Sequence, residues 1–201
     1  MDKLVITIGR QFGSGGRAVA RELGRKLGIE VYDHELLSKA AEESGFSRDI
    51  FKKRDEKHRK FSFAGFFGSE NNFSESGEVF RMQSETIRRI AERGSAIIVG
   101  RCSDYILRDL DYTLDVFLTA PLEARIERVC ARMNVSREVA LEIIAKKDKN
   151  RPAYYNYFTF GNWGVAATYD LCIDTSILGD EGTADYIIEF ARKAGKLPEN
   201  L

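Results

Sequence analysis

The run Val5-Ile6-Thr7-Ile8-Gly9-Arg10-Gln11-Phe12-Gly13-Ser14-Gly15-Gly16-Arg17 constrains this chain more than any other part of it. An apolar, β-branched stretch enters a glycine-rich turn. The turn enters Ala18 to Leu27, where Val19, Leu23 and Leu27 recur at helical spacing. The order is strand, loop, helix. Backbone N–H groups in such a loop converge on an anion and the helix N-terminus adds partial positive charge, so polyphosphate is the guest it suits. Glycines Gly13, Gly15 and Gly16 keep side chains out of the way of a phosphate. A loop of the form G-x-x-x-x-G-K-[ST] would carry a lysine and a metal-binding hydroxyl. Here Arg10 stands at the first glycine, Gly15 at the second, Gly16 at the lysine and Arg17 at the hydroxyl. Arg10 and Arg17 are therefore candidates to supply the missing charge, since a guanidinium pairs with phosphate in a two-pronged fork. A tight turn whose glycines serve only close packing is the competing explanation.

Further apolar runs at Ile29 to Tyr32, Ala96 to Val99, Leu114 to Leu118 and Leu171 to Ile173 alternate with helical patterns. With Leu4 to Ile8 they predict an α/β fold, a five-stranded parallel sheet with helices on both faces. Ligands of such sheets sit at the carboxyl ends of the strands. The polar residues there, Gly9 to Arg17, Asp33, Gly100-Arg101, Thr119 and Asp174-Thr175, form the candidate site.

A length of 201 residues suits one domain over 1–201 with insertions. Lysine plus arginine equals aspartate plus glutamate at 31 each, so no broad field points to nucleic acid or an acidic membrane. No apolar run approaches a membrane span, and the N-terminus lacks a basic region followed by a long apolar segment, which together predict a cytoplasmic protein. Cys102, Cys130 and Cys172 are widely spaced and read as reduced thiols, while His34 and His58 have no ligand-like neighbours and read as solvated.

Two segments break the alternation. From about 45 to 79, the charged run Lys52 to Lys60 and the phenylalanines Phe61, Phe63, Phe66, Phe67 and Phe73 among Gly, Ser and Asn suggest a flap, or a surface loop or self-association patch. From about 146 to 164, basic residues precede Tyr154, Tyr155, Tyr157, Phe158, Phe160 and Trp163, suggesting a lid. Most of these aromatics are expected to pack a loop onto the core, with Arg151 the better ligand candidate. Between the segments, Leu122, Ile126, Val129 and Met133 form one stripe of a helix and Arg125, Arg128 and Arg132 another. The helix starts at a strand end, which favours phosphate contact for Arg125 and Arg128; Arg132 reads as solvated.

These motifs in order resemble the nucleoside monophosphate kinases, specifically the cytidylate kinase-like family. The likeness rests on Phe12 to Arg17, Val31-Tyr32-Asp33, Ile98-Val99-Gly100-Arg101, Val116 to Ala120 with Arg125 and Arg128, Lys147 to Arg151, and Tyr169 to Ser176. It implies a three-layer phosphate-binding-loop core with a flap and a basic lid, and transfer of the ATP γ-phosphoryl group to CMP or dCMP with Mg2+. In that light Gly13, Ser14, Gly15, Gly16 and Arg17 would hold the ATP phosphates, joined by Arg10 as the loop's own missing charge suggests, and Arg101 and Arg151 the acceptor phosphate. Arg125, Arg128 and Lys147 would be rim and lid cations, Asp148 an acid near the acceptor, and Asp33 a carboxylate near acceptor and metal. The family's Gly-Arg-Asp reads Gly100-Arg101-Cys102 here. Other small acceptors such as dephospho-coenzyme A, or nucleotide binding without transfer, are the alternatives. The partner is a small-molecule nucleotide, with no nucleic acid and no membrane, in a monomer or homodimer.

Overall fold

The computed structural model describes residues 3–43 and 76–201. Each apolar run becomes a strand: β1 (Val5–Arg10), β2 (Glu30–Tyr32), β3 (Ala96–Val99), β4 (Thr113–Thr119) and β5 (Leu171–Asp174). All pairings are parallel and the order is β2-β3-β1-β4-β5. The central strand β1 is thus the one that feeds the glycine loop. Register fixes the site's layout, because Ile8 opposite Val99 and Arg10 opposite Leu118 bring the ends of β3 and β4 beside the loop.

The sheet is covered on both faces, as the unbroken apolar strands require. Helices α1 (Gly16–Leu27) and α7 (Thr175–Lys193) pack on one face, where Val19, Leu23, Ala184, Ile187 and Ala191 meet Ile6, Ile8, Val116 and Leu118. On the other face α2 (His34–Glu43), α3 (Ser76–Arg93) and the short α4 (Ser103–Ile106) bring Leu37, Ile87, Ala91 and Ile106 against Val5 and Ile98. Helices α5 (Leu122–Met133) and α6 (Arg137–Thr159) join through Ile126, Val129, Ala140 and Ile144.

Helix α1 starts directly from Gly15 and ends at Gly28, both in the left-handed region, where Gly28 N–H bonds the Gly24 carbonyl. The expected lid is not a loop at its start: residues 146–159 continue α6, whose cap is the Ser136 hydroxyl accepting from Val139 N–H. Its aromatics do pack inward for the most part. Tyr155 is buried, Tyr154 and Trp163 join the second core, and Phe158 stacks on Phe80 at 4.3 Å, whereas Phe160 is 94% exposed. Most of the expected flap, with Lys52 to Lys60, His58 and Phe61 to Phe73, lies outside the described residues; its last positions, 76–79, open α3.

Candidate functional site

A cleft of about 530 Å³ opens above the carboxyl ends of β1 and β3. Its walls include Gly13, Gly15, Gly16 and the cations Arg10, Arg17, Arg21, Arg101, Arg128, Arg132, Lys147 and Arg151, against the carboxylates Asp104 and Asp180. A cavity that gathers so many cations around a glycine turn is chemically an oxyanion receptor.

The loop is held in shape from three sides. Phe12 N–H donates to Asp148 Oδ1 (3.1 Å), and Arg125 pairs with the other oxygen of Asp148 while donating to the Phe12 carbonyl (3.4 Å). Thr175, fully buried, donates its hydroxyl to the Ser14 carbonyl (2.7 Å) and accepts from Arg128 Nη1 (2.8 Å). Two guanidiniums, those of Arg132 and Arg151, lie over the Phe12 ring, each with its carbon 5.3 Å from the ring centre. Such external bracing ties the turn to α5, α6 and α7.

The glycines divide by task. A Cβ on Gly13, at φ +83°, would lie 3.0 Å from the Arg125 carbonyl oxygen, so this glycine serves the close approach of α5. A Cβ on Gly15 would lie 2.5 Å from Asp180 Oδ1, and one on Gly16 2.9 Å from Arg10 Cγ. Ser14 is fully buried with its hydroxyl on the Gln11 carbonyl (3.0 Å), so the side chain does not line the cleft.

The arginines also divide. Arg151 reaches from α6 to the Arg10 carbonyl (2.7 Å), tying the lid to the end of β1. Arg101 adopts φ 62° after β3, and burial pushes its pKa down while the Tyr154 hydroxyl opposes that shift. Tyr154 itself is pushed up to about 12, chiefly by burial. Arg17 turns toward β2, its Nε 3.8 Å from Asp33 Oδ2, beside a second hollow of about 310 Å³ that Arg21, Asp33 and Glu35 also line. Asp33 caps α2, its Oδ1 accepting from the N–H groups of Glu35 (3.0 Å) and Leu36 (3.3 Å).

Two expectations change. Arg125 is 8% exposed and does not line the cleft; its guanidinium is spent on Asp148 and the loop, because α5 presses it under Gly13. Asp148, expected near the acceptor, faces the loop from α6 for the same reason, since both its oxygens are taken by Phe12 and Arg125.

Other residues entered the site unannounced. Arg132 lines the cleft, with burial and the nearby Arg17 lowering its pKa, and the Arg128–Arg132 spacing on one helix carried that signal. Arg21, one helical turn after Arg17, carried the same signal. His34 also lines the cleft. Asp104 lines the floor, raised by burial, and accepts from the Tyr155 hydroxyl (2.7 Å). Asp180 follows Gly179, whose φ of 68° and ψ of −178° break α7, and no local pattern announced its place.

A profile of the cytidylate kinase-like family matches residues 5–177. The chain is 31% identical over 183 residues to the cytidylate kinase of Pyrococcus horikoshii, covering 90% of this chain and 84% of that protein. Among solved structures, an uncharacterized protein from Eubacterium ventriosum is 28% identical with a TM-score of 0.71, covering 94% of this chain and 99% of that one. The shikimate kinase of Bacteroides thetaiotaomicron, 14% identical with a TM-score of 0.53 over 96% of this chain and 99% of its own, shares the fold.

Proposed function

This chain belongs to the cytidylate kinase-like family, and from that premise we propose that it moves the γ-phosphoryl group of ATP to a nucleoside monophosphate of the CMP or dCMP type. The observation that carries this reading is the gathering of Arg10, Arg101, Arg128, Arg132 and Arg151 around one glycine loop in a single cleft. Phosphoryl transfer needs the reactants in line and positive charge over the equatorial oxygens of the migrating group. Guanidiniums fixed by the fold supply that charge without reorganising, and one arginine placed on those oxygens is worth about a thousandfold in rate.

In this reading the amides from Gly13 to Arg17 and the start of α1 receive the donor phosphates. Arg10 takes the lysine's role, since its side chain runs past Gly16, while Arg17 faces Asp33 and the second hollow. Arg128, oriented by Thr175, approaches from the far side. Arg101 and Arg151 hold the acceptor phosphate, and Lys147 adds charge at the lid. Arg125 and Asp148 act through the loop they brace, as positioning residues.

The donor set fits a magnesium ion carried mainly by nucleotide phosphates and water, which is how that ion is commonly bound. Asp33 is the carboxylate suited to it, with Oδ1 engaged by α2 and Oδ2 turned toward Arg17. When bound, the ion neutralises charge on the bridging phosphates. Among the described residues no group of three or more His, Cys, Asp or Glu gathers into an all-protein cage.

The test is an acceptor panel with ATP and magnesium, scored by ADP release: CMP, dCMP, UMP, AMP and dephospho-coenzyme A. CMP or dCMP is expected to lead. ADP release driven only by a different acceptor reassigns the substrate, and ATP binding with no release across the panel refutes the kinase reading.

A further inference from the structure

We propose that Asp180 is a specificity-determining residue for the phosphate donor, its carboxylate accepting hydrogen bonds from the ribose hydroxyls of a nucleoside triphosphate. The inference rests on the kinase reading above and extends it to the nucleoside half of the donor.

The sheet order sets the direction of the donor. β2 and β3 lie to one side of the loop-bearing β1, and β4 and β5 to the other. Asp33 follows β2 and Arg101 follows β3, so the acceptor side of the cleft is theirs. Donor and acceptor meet in line across the migrating group. The nucleoside of the donor then extends past the loop toward β5, where Asp180 stands.

Three features single out this carboxylate. Gly179 interrupts α7 at φ 68°, a conformation that turns Asp180 out of the helical path and onto the loop. Its Oδ1 comes so close to Gly15 that a Cβ there would sit 2.5 Å away, so the loop makes room for the carboxylate. Its Oδ1 makes no hydrogen bond, the Arg128 guanidinium standing 4.0 Å away as its ion-pair partner and already bonded to Thr175, while the side chain as a whole is 40% exposed and lines the cleft.

A carboxylate with one oxygen unbonded and its side chain partly open to the cleft keeps acceptor sites for a ligand's donors. Phosphate oxygens cannot complete it, because they are acceptors and anionic. Hydroxyls can, and a carboxylate that takes ribose hydroxyls recurs where nucleotides bind at strand ends. A donor seated with its phosphates on the loop and its nucleoside toward β5 would bring its ribose hydroxyls to the carboxylate that touches Gly15.

The experiment is calorimetric titration of the wild-type chain and Asp180→Ala with ATP, 2′,3′-dideoxy-ATP and inorganic tripolyphosphate. Wild type is expected to bind ATP about tenfold or more tightly than the dideoxy analogue. In Asp180→Ala that ratio falls to about one through loss of ATP affinity, while tripolyphosphate binds no more weakly. Asp180→Asn, which keeps an acceptor oxygen and the side-chain shape, retains part of the ratio. An unchanged dideoxy ratio in Asp180→Ala overturns the proposal and leaves the kinase reading standing. ATP and tripolyphosphate tightening together in that variant also overturns it, assigning Asp180 to repulsion of the phosphates. Wild type binding neither ATP nor tripolyphosphate overturns both.

Discussion

Arg10 and Gly16 share one space: a Cβ on Gly16 would lie 2.9 Å from Arg10 Cγ and 3.0 Å from its Cβ. The arginine then ends against Gly100, where a Cβ would fall 1.8 Å from Nη1 at a φ of +75°. In the kinase reading proposed above, a cation from the end of β1 takes the place of the lysine that such loops carry at the helix start, and glycines at 16 and 100 make room for it.

Relocation of the cation predicts coupling between the two positions. Gly16→Lys alone is expected to lower the rate of ADP release about tenfold or more, because the new side chain meets Arg10. Arg10→Ala lowers it too, and the double variant is expected to recover part of the loss, with a coupling of about 1 kcal/mol or more. Simple additivity of the two losses would refute the displacement.

Asp148 is predicted to matter for stability as well as for turnover. Arg125 is 8% exposed and its Nε has no hydrogen-bond partner in the structure, so Asp148→Ala leaves a buried guanidinium with the Phe12 carbonyl alone. The expected loss is about 2 kcal/mol or more, read as a fall in Tm of roughly 5 °C or more. A thermal melt that matches wild type would show that the pair braces nothing.

Thr175→Val removes a buried hydroxyl that bonds the Ser14 carbonyl and orients Arg128. The shape is kept and the polar groups are left unpaired, at a cost of about 1–3 kcal/mol. If Arg128 acts on the transferring group, kcat falls more than the affinity for ATP does. A change confined to KM would place Arg128 in ground-state binding.

Asp115 contributes one pH dependence, with Asp104, Asp170 and Lys196 acting on it through space. Burial pushes its carboxyl up to about 6, against the Thr7 hydroxyl that donates to it at 2.6 Å and favours the charged form. The folded state therefore holds this proton longer than the unfolded chain, whose carboxyl titrates near its ordinary value of about 3.9. The sign follows: this group's contribution to stability is fully present below about pH 4 and declines as pH rises to about 6. Asp115→Asn is expected to remove that decline and to be more stable than wild type at pH 8, by about 2 kcal/mol. Urea midpoints at pH 5 and pH 8 decide it, and an unaltered slope in the variant would rule the group out.

Much of the fold was legible because β-branched runs and helical spacing are local. Val5 to Ile8 and Ala96 to Val99 form strands where the pattern put them, and Val19, Leu23 and Leu27 face the core as their spacing required. The segment expected as a lid starts on a helix, because a basic run followed by aromatics fits a loop as well as a helix; what favours the helix is Tyr155 and Phe158 docking on the second core and on Phe80.

The site was legible in residue type and blurred in assignment. Arg101, Arg128 and Arg151 line the cleft, whereas Arg125 and Asp148 brace the loop and Asp180 and Arg132 stand where the expected set had no place for them. Which arginine faces a ligand depends on helix rotation and on contacts between residues far apart in the chain, such as Phe12 with Asp148 and Ser14 with Thr175.

By itself the sequence determined the five strands, the parallel sheet and the glycine turn at the end of β1, since periodicity, β-branching and glycine placement act within a few residues of one another. Only the tertiary structure decided that Arg10 fills the space beside Gly16 and that Asp180 touches Gly15. Those outcomes turn on packing distances between separate strand ends, which no local pattern encodes.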